Sequence, residues 1–189
     1  MKVSYYYYLG AQLPYLFYGQ TAPMSSMSFR DMALHSLNQI DAKDFEFCTL
    51  EPVSGQALLE AKISSGFVKS WHEWEEVLRL NLAKIRSHKQ KRENTDQWEA
   101  PELPADAAAA AKTAVGMDSP LEAELFLDKA RWNAIESYQG IDYFSEKMIF
   151  AYLLKLQLME RRQVFNAEEG FTEYKTLYAS ILENAGEPK

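Results

Sequence analysis

Phe67, Trp71, Trp74, Leu78, Leu82 and Ile85 recur at steps of three and four residues. That period places all six on one stripe of a helix. A helix from about 67 to 92 would be ~39 Å long at 1.5 Å per residue. A stripe of that length has to be covered by other elements, so it dictates a fold built around packed helices. The Trp71/Trp74 stripe reads as core, and Val77 and Leu80 beside it leave room for a second contact face. The end of the same segment is basic, with Lys84, Arg86, Lys89, Lys91 and Arg92. Cations suit the negative end of a helix dipole. They also form a candidate docking patch for an acidic partner surface.

The rest of the chain follows the same period. Val3 to Leu9, rich in tyrosine, is compatible with a strand or with the start of a helix. Pro14, Gly19 and Pro23 mark an irregular stretch. Ser28 is expected to cap a short helix through about Asn38, and Asp41 a second one that ends by Pro52. Gly55 to Ile63 is moderately helical. An acidic loop near 93–105 carries Pro101 and Pro104, and residues 105–115 are alanine-rich, with little side chain to pack. Ser119-Pro120 is a strong helix start, with Leu121, Leu125, Trp132, Ile135 and Tyr138 on the buried face and Gly140 as the stop. Asp142 is expected to cap a helix over about 143–165 whose centre, Met148 to Met159, is apolar nearly all round. Phe171 to Leu182 has the pattern of a last amphipathic helix. The expected fold class is all-α: a single helical domain over 1–189, an antiparallel bundle of long amphipathic helices.

Composition narrows the function. A formal net charge of -7 argues against a general nucleic-acid role, which calls for a basic field. The single cysteine, Cys48, excludes an intrachain disulfide framework and sits among apolar neighbours as a small hydrophobe. No window reaches the ~20 apolar residues of a membrane span. The first twenty residues lack a compact aliphatic stretch and read as mature sequence. Aromatic residues reach 13%, and such side chains serve cores and interfaces alike.

Motifs for chemistry do not emerge. His35, His72 and His88 are too far apart for a helical zinc motif. No glutamate has a histidine three residues on, as carboxylate-bridged di-iron bundles require. The glycines form no nucleotide-binding loop, and there is no GxSxG elbow. The acids Glu73, Glu75, Glu76, Glu122 and Glu124 read as solvated helix faces, and His72 as an ordinary exposed or half-buried helix residue. No catalytic residue, cofactor or metal ligand is assigned.

Tyr6-Tyr7-Tyr8-Leu9-Gly10-Ala11-Gln12-Leu13-Pro14 resembles the opening of an uncharacterised bacterial family whose genes accompany those of V/A-type ATP synthases. Met24-Ser25-Ser26, Ile40 to Phe45, and the late segment Tyr152 to Arg161 share the resemblance. That family is similar to the funnel-like C-type stalk component of the V/A-type rotary ATPase, the counterpart of the d-type component of the eukaryotic V-ATPase. The resemblance implies a non-catalytic, all-helical part that links the central stalk to the ring of membrane subunits. It would be cytoplasmic, peripheral to the membrane, and held there only through its partners. The usual C-type component is longer, built from three related helical units, and this chain has room for one or two. The alternative is a stand-alone helical adaptor that binds another protein through a helix-in-groove surface.

Overall fold

The structure is a computed structural model and describes residues 4–89, 101–164 and 175–177. Within them the chain is all-α. The helices are α1 (Tyr7–Gln12), α2 (Ser26–Ser36), α3 (Gln39–Phe45), α4 (Gly55–Glu60), α5 (Gly66–Lys89), α6 (Ala105–Val115), α7 (Pro120–Gln139) and α8 (Glu146–Val164). No strand occurs among the described residues; Tyr5 and Ser145 form one isolated antiparallel bridge. Lys91 and Arg92, residues 93–100 of the acidic loop, and most of the expected last helix lie outside the described residues.

The helix α8 is the centre of the packing. Met148 to Leu154, with Leu156, Leu158 and Met159, are buried, so its near-continuous apolar surface is covered from several sides. Phe29 of α2 packs on Tyr152 with ring centroids 4.7 Å apart. Phe45 of α3 and Phe67 of α5 reach Phe150 at 5.7 and 6.3 Å. The stripe on α5 is core as its spacing implies, with Phe67, Trp71, Trp74, Leu78 and Leu82 buried. Val77 is buried too, which removes it from any outer face. At 24 residues α5 is about 36 Å long.

The alanine helix packs more than its composition suggests. Ala107, Ala108, Ala110, Ala111 and Ala114 are buried, and α6 makes its main contacts with α5 and α7. Short side chains let backbones approach, and each buried methyl still contributes. Asp106 opens this helix and accepts the Trp74 indole N–H at 2.8 Å, which sets its position along α5.

Helix ends depart from expectation where a distant residue or a nearer neighbour supplies the cap. The cap of α2 is Ser25, whose Oγ accepts from Ser28 N; Ser28 is the third helical residue. Asn38 caps α3 through Oδ1, which accepts from Ile40 N and Asp41 N at 2.9 Å each. Asp41 instead accepts from the Tyr6 hydroxyl and from Asn38 Nδ2. Asp142 accepts from Phe144 N in a turn, and α8 begins only at Glu146, whose N–H donates to Ser4 O at 3.3 Å. Ser119 and Gly140 act as expected: Ser119 Oγ accepts from Glu122 N, and Gly140 takes a φ of 69°.

Two carboxylates cap helices from afar. Asp44, buried in α3, accepts from Ser65 N at 2.6 Å and from Ser64 N at 3.0 Å, directly before α5. It also accepts from Ser64 Oγ at 2.6 Å. Glu160 of α8 accepts from Ser26 N at 2.6 Å, at the first residue of α2. Asp44→Ala leaves the buried Ser65 N–H and the two Ser64 donors without their charged acceptor. It should lower the unfolding free energy by about 2–4 kcal/mol in a denaturant titration, and Asp44→Asn by less because an acceptor oxygen remains.

Candidate functional site

The N-terminal segment is stitched onto the corner between α7 and α8. Tyr6 N donates to Phe144 O at 2.7 Å, and the Tyr152 hydroxyl donates to Pro14 O at 3.0 Å. Gly10 permits the closest approach: a Cβ there would lie 3.0 Å from both the Met148 and Phe144 side chains. This frame turns aromatic rings outward. Tyr5 stacks on Tyr7, Tyr7 leans on Phe144, and Tyr15 packs on Phe17. Tyr8 is 80% exposed and Ile141, in the α7–α8 turn, 93%. These exposed apolar side chains are carried by the N-terminal segment and by the α7–α8 turn to which it is bonded.

A cleft of about 470 Å³ opens in the same corner, lined by Leu13, Tyr15, Tyr143, Phe144 and Met148 on its apolar side. Its polar end is Glu136, Gln139 and Lys155. Lys155 donates to Glu136 Oε1 at 3.3 Å and to Gln139 Oε1 at 3.2 Å, and its ammonium lies 5.1 Å from the Trp132 ring centroid. Burial pushes the Lys155 pKa down, and Glu136 pulls it back. Burial also pushes the Tyr152 hydroxyl up to about 12, so it remains a neutral donor.

The cations picked out in the sequence do not share one contact. Lys84 lines a shallow groove with His88, Lys112 and Glu102 between α5 and α6. Arg86 turns towards α7, 3.9 Å from Glu124. Lys89 donates to Val115 O at the end of α6. Lys91 and Arg92 lie outside the described residues.

Sequence reading missed a buried ionic cluster. Glu75 is in the core, where Arg131 meets it with two hydrogen bonds of 3.1 Å. Arg131 also donates to Asp128 at 3.0 Å. Arg161 of α8 lies 3.8 Å from Asp128 and 2.9 Å from Glu124. Burial raises the Asp128 pKa against the pull of Arg161 and Arg131, and its Oδ2 has no partner among the described residues. The signal was phase rather than residue type. Glu75 lies four residues after Trp71 and three before Leu78; Asp128 lies three after Leu125 and four before Trp132. Both fall on their helices' apolar stripes.

His72 is likewise buried rather than exposed, and its Nε2–H donates to Phe47 O at 2.7 Å. Cys48 is buried as expected, and burial pushes its thiol far above the ordinary value. Among the described residues no group of three His, Cys, Asp or Glu is arranged to hold a metal ion. The titratable groups of the interior are enclosed, the ionic ones in one cluster and His72 against a backbone carbonyl.

Arg131→Met removes the buried hydrogen-bond donor of Glu75 and Asp128, leaving them Arg79 at 3.7 Å and Arg161 at 3.8 Å, and should cost up to about 3–5 kcal/mol in unfolding free energy. Adding Glu75→Gln should recover part of the loss, a non-additivity that a double-mutant cycle reads. The folded pKa of His72 lies below its ordinary 6.5 because burial disfavours the charged ring. Its unfolded form therefore binds a proton first. The associated stability is complete above that ordinary value and is lost as pH falls through it towards the folded pKa. His72→Gln should flatten the fall in unfolding free energy between pH 7 and 5 relative to wild type, by up to about 1.4 kcal/mol per pH unit.

Compared with protein-family models, curated proteins and solved structures, the chain matches none of them.

Proposed function

We propose that the chain is a non-catalytic structural or accessory subunit of a V/A-type rotary ATPase, placed between central-stalk and membrane-ring subunits, with the aromatic corner as its docking face. The carrying observation is a convergence in space. Segments that bear the family resemblance, distant in sequence, meet around this corner and the end of α8. Tyr6 bonds Asp41, Tyr152 bonds Pro14, and Ser26 bonds Glu160. Their outward side carries the exposed rings of Tyr7, Tyr8 and Tyr15. Burying such rings against a partner yields about 25 cal/mol per Å² of apolar area, which is how aromatic anchors carry interfaces.

The body behind the face suits a part that transmits force. The helix α5 is tied to α7 by Arg131 and Glu75, and α7 to α8 by Arg161 and Glu124. No helix among the described residues is long and apolar enough to cross a membrane. Attachment at a membrane ring would then run through protein surfaces.

Co-expression with central-stalk and membrane-ring subunits tests the proposal. The chain should co-purify with them. A Tyr8→Lys/Ile141→Lys variant should associate at least tenfold more weakly with an unchanged melting temperature, because both side chains are almost bare in the free protein. Failure of the wild-type chain to associate with any of these subunits overturns the assignment. Capture of an unrelated partner through the same face would make it a stand-alone adaptor.

A further inference from the structure

The polar end of the aromatic-lined cleft is electrically balanced, and this decides what fits there. Lys155 contributes one positive charge and Glu136 one negative charge, 3.3 Å apart. Glu136 Oε1 is held a second time by the Trp132 indole N–H at 2.8 Å. An anionic ligand would have to compete with a carboxylate anchored by two donors. A cationic ligand would have to approach Lys155, whose side chain is only 12% exposed and cannot move away.

Hydrogen-bonding capacity is still left at this end. Lys155 gives two of its three N–H groups to Glu136 and Gln139. Glu136 Oε2 and the Gln139 amide N–H carry no bond to the described residues. One donor pair and one acceptor beside an apolar wall match the C=O and N–H of a peptide group.

We propose that this cleft takes an uncharged peptide segment of a partner protein, with one aromatic or branched apolar side chain seated among Leu13, Tyr143 and Met148 and the adjoining backbone amide bonded at the Lys155–Glu136–Gln139 end. This rests on the reading of the corner as a docking face and specifies the anchor it receives. Complementarity here is that of a neutralised site for a neutral group: a charged segment meets two charges that already balance each other.

The full-length chain, labelled with ¹⁵N, is titrated with N-acetyl-phenylalaninamide and, separately, with N-acetyl-phenylalanine, which has the same apolar body and a carboxylate. The amide should shift the Trp132 indole and Gln139 side-chain resonances, with the carboxylate binding about tenfold more weakly. Ala11→Trp, at an exposed position on the cleft rim, should weaken the amide at least tenfold while leaving the melting temperature unchanged. Glu136→Gln, which leaves the Lys155 charge without its counter-charge, should remove the preference for amide over carboxylate. Absence of shifts at these resonances up to the solubility limit, equal binding to the Ala11→Trp variant, or tighter binding of the carboxylate would each overturn the proposal. Intact co-purification with rotary-ATPase subunits alongside a failed titration discards the cleft alone. Amide binding without co-purification discards the ATPase reading alone.

Discussion

The guanidinium of Arg131 sits between two carboxylates in the middle of the helical packing, with Glu75 reaching it from α5 and Asp128 from one turn before it on α7. Desolvating these ions costs several kcal/mol each, and a well-packed apolar trio would stabilise the fold at least as well. What the ions add is register. A stripe of leucine and tryptophan side chains can slide by a turn and still be buried, whereas sliding α5 past α7 by about 5.4 Å would part Glu75 from the guanidinium that holds it with two hydrogen bonds. The neighbouring contacts follow from that setting. Arg161 extends the network to α8, and Trp74, one residue before Glu75, meets Asp106 at the start of α6. Four helices are thus aligned by polar contacts inside an apolar core.

The short helices are placed by the same kind of device. Asp44 and Glu160 each use a carboxylate from one helix to satisfy the first amides of another. A cap of this sort fixes both ends of the contact, because backbone N–H groups near a helix start have no partner in their own helix. The connections before α5 and α2 can therefore lie against the body without regular structure of their own. The N-terminal segment depends on this frame. It has only six helical residues, too few to be stable alone, and it holds its place through backbone bonds to Phe144 and Glu146 and through Tyr152.

Its placement explains why the corner is both ordered and apolar outside. Most of the aromatic side chains in the core meet α8, but Tyr7 and Tyr8 on α1, and Tyr15 and Tyr143 beside it, keep their rings exposed. A partner covering this face, as proposed, would find the rings of Tyr7 and Tyr8 already held on a helix. The Lys155–Glu136 pair lies at the edge of that face and is the basis of the preference proposed for it.

The sequence by itself determined the all-α class, the long α5 with its buried Trp71 and Trp74, the Ser119-Pro120 start and Gly140 stop of α7, and the central position of the apolar α8. Each follows from a local rule, either the helical period or the chemistry of a cap, that needs no knowledge of neighbours. Tertiary structure alone supplied the partners that let Glu75, Asp128 and His72 lie inside, and alone decided that Asp142 closes a turn instead of starting a helix and that the alanine face of α6 is core. It also decided that the basic end of α5 separates, with Lys84 in a groove, Arg86 towards α7 and Lys89 on the end of α6. A polar side chain on an apolar stripe is stable only if an opposite charge or a free carbonyl arrives from another helix. For His72 and Glu75 that arrival is set by residues 25 and 56 positions away, where local periodicity carries no information.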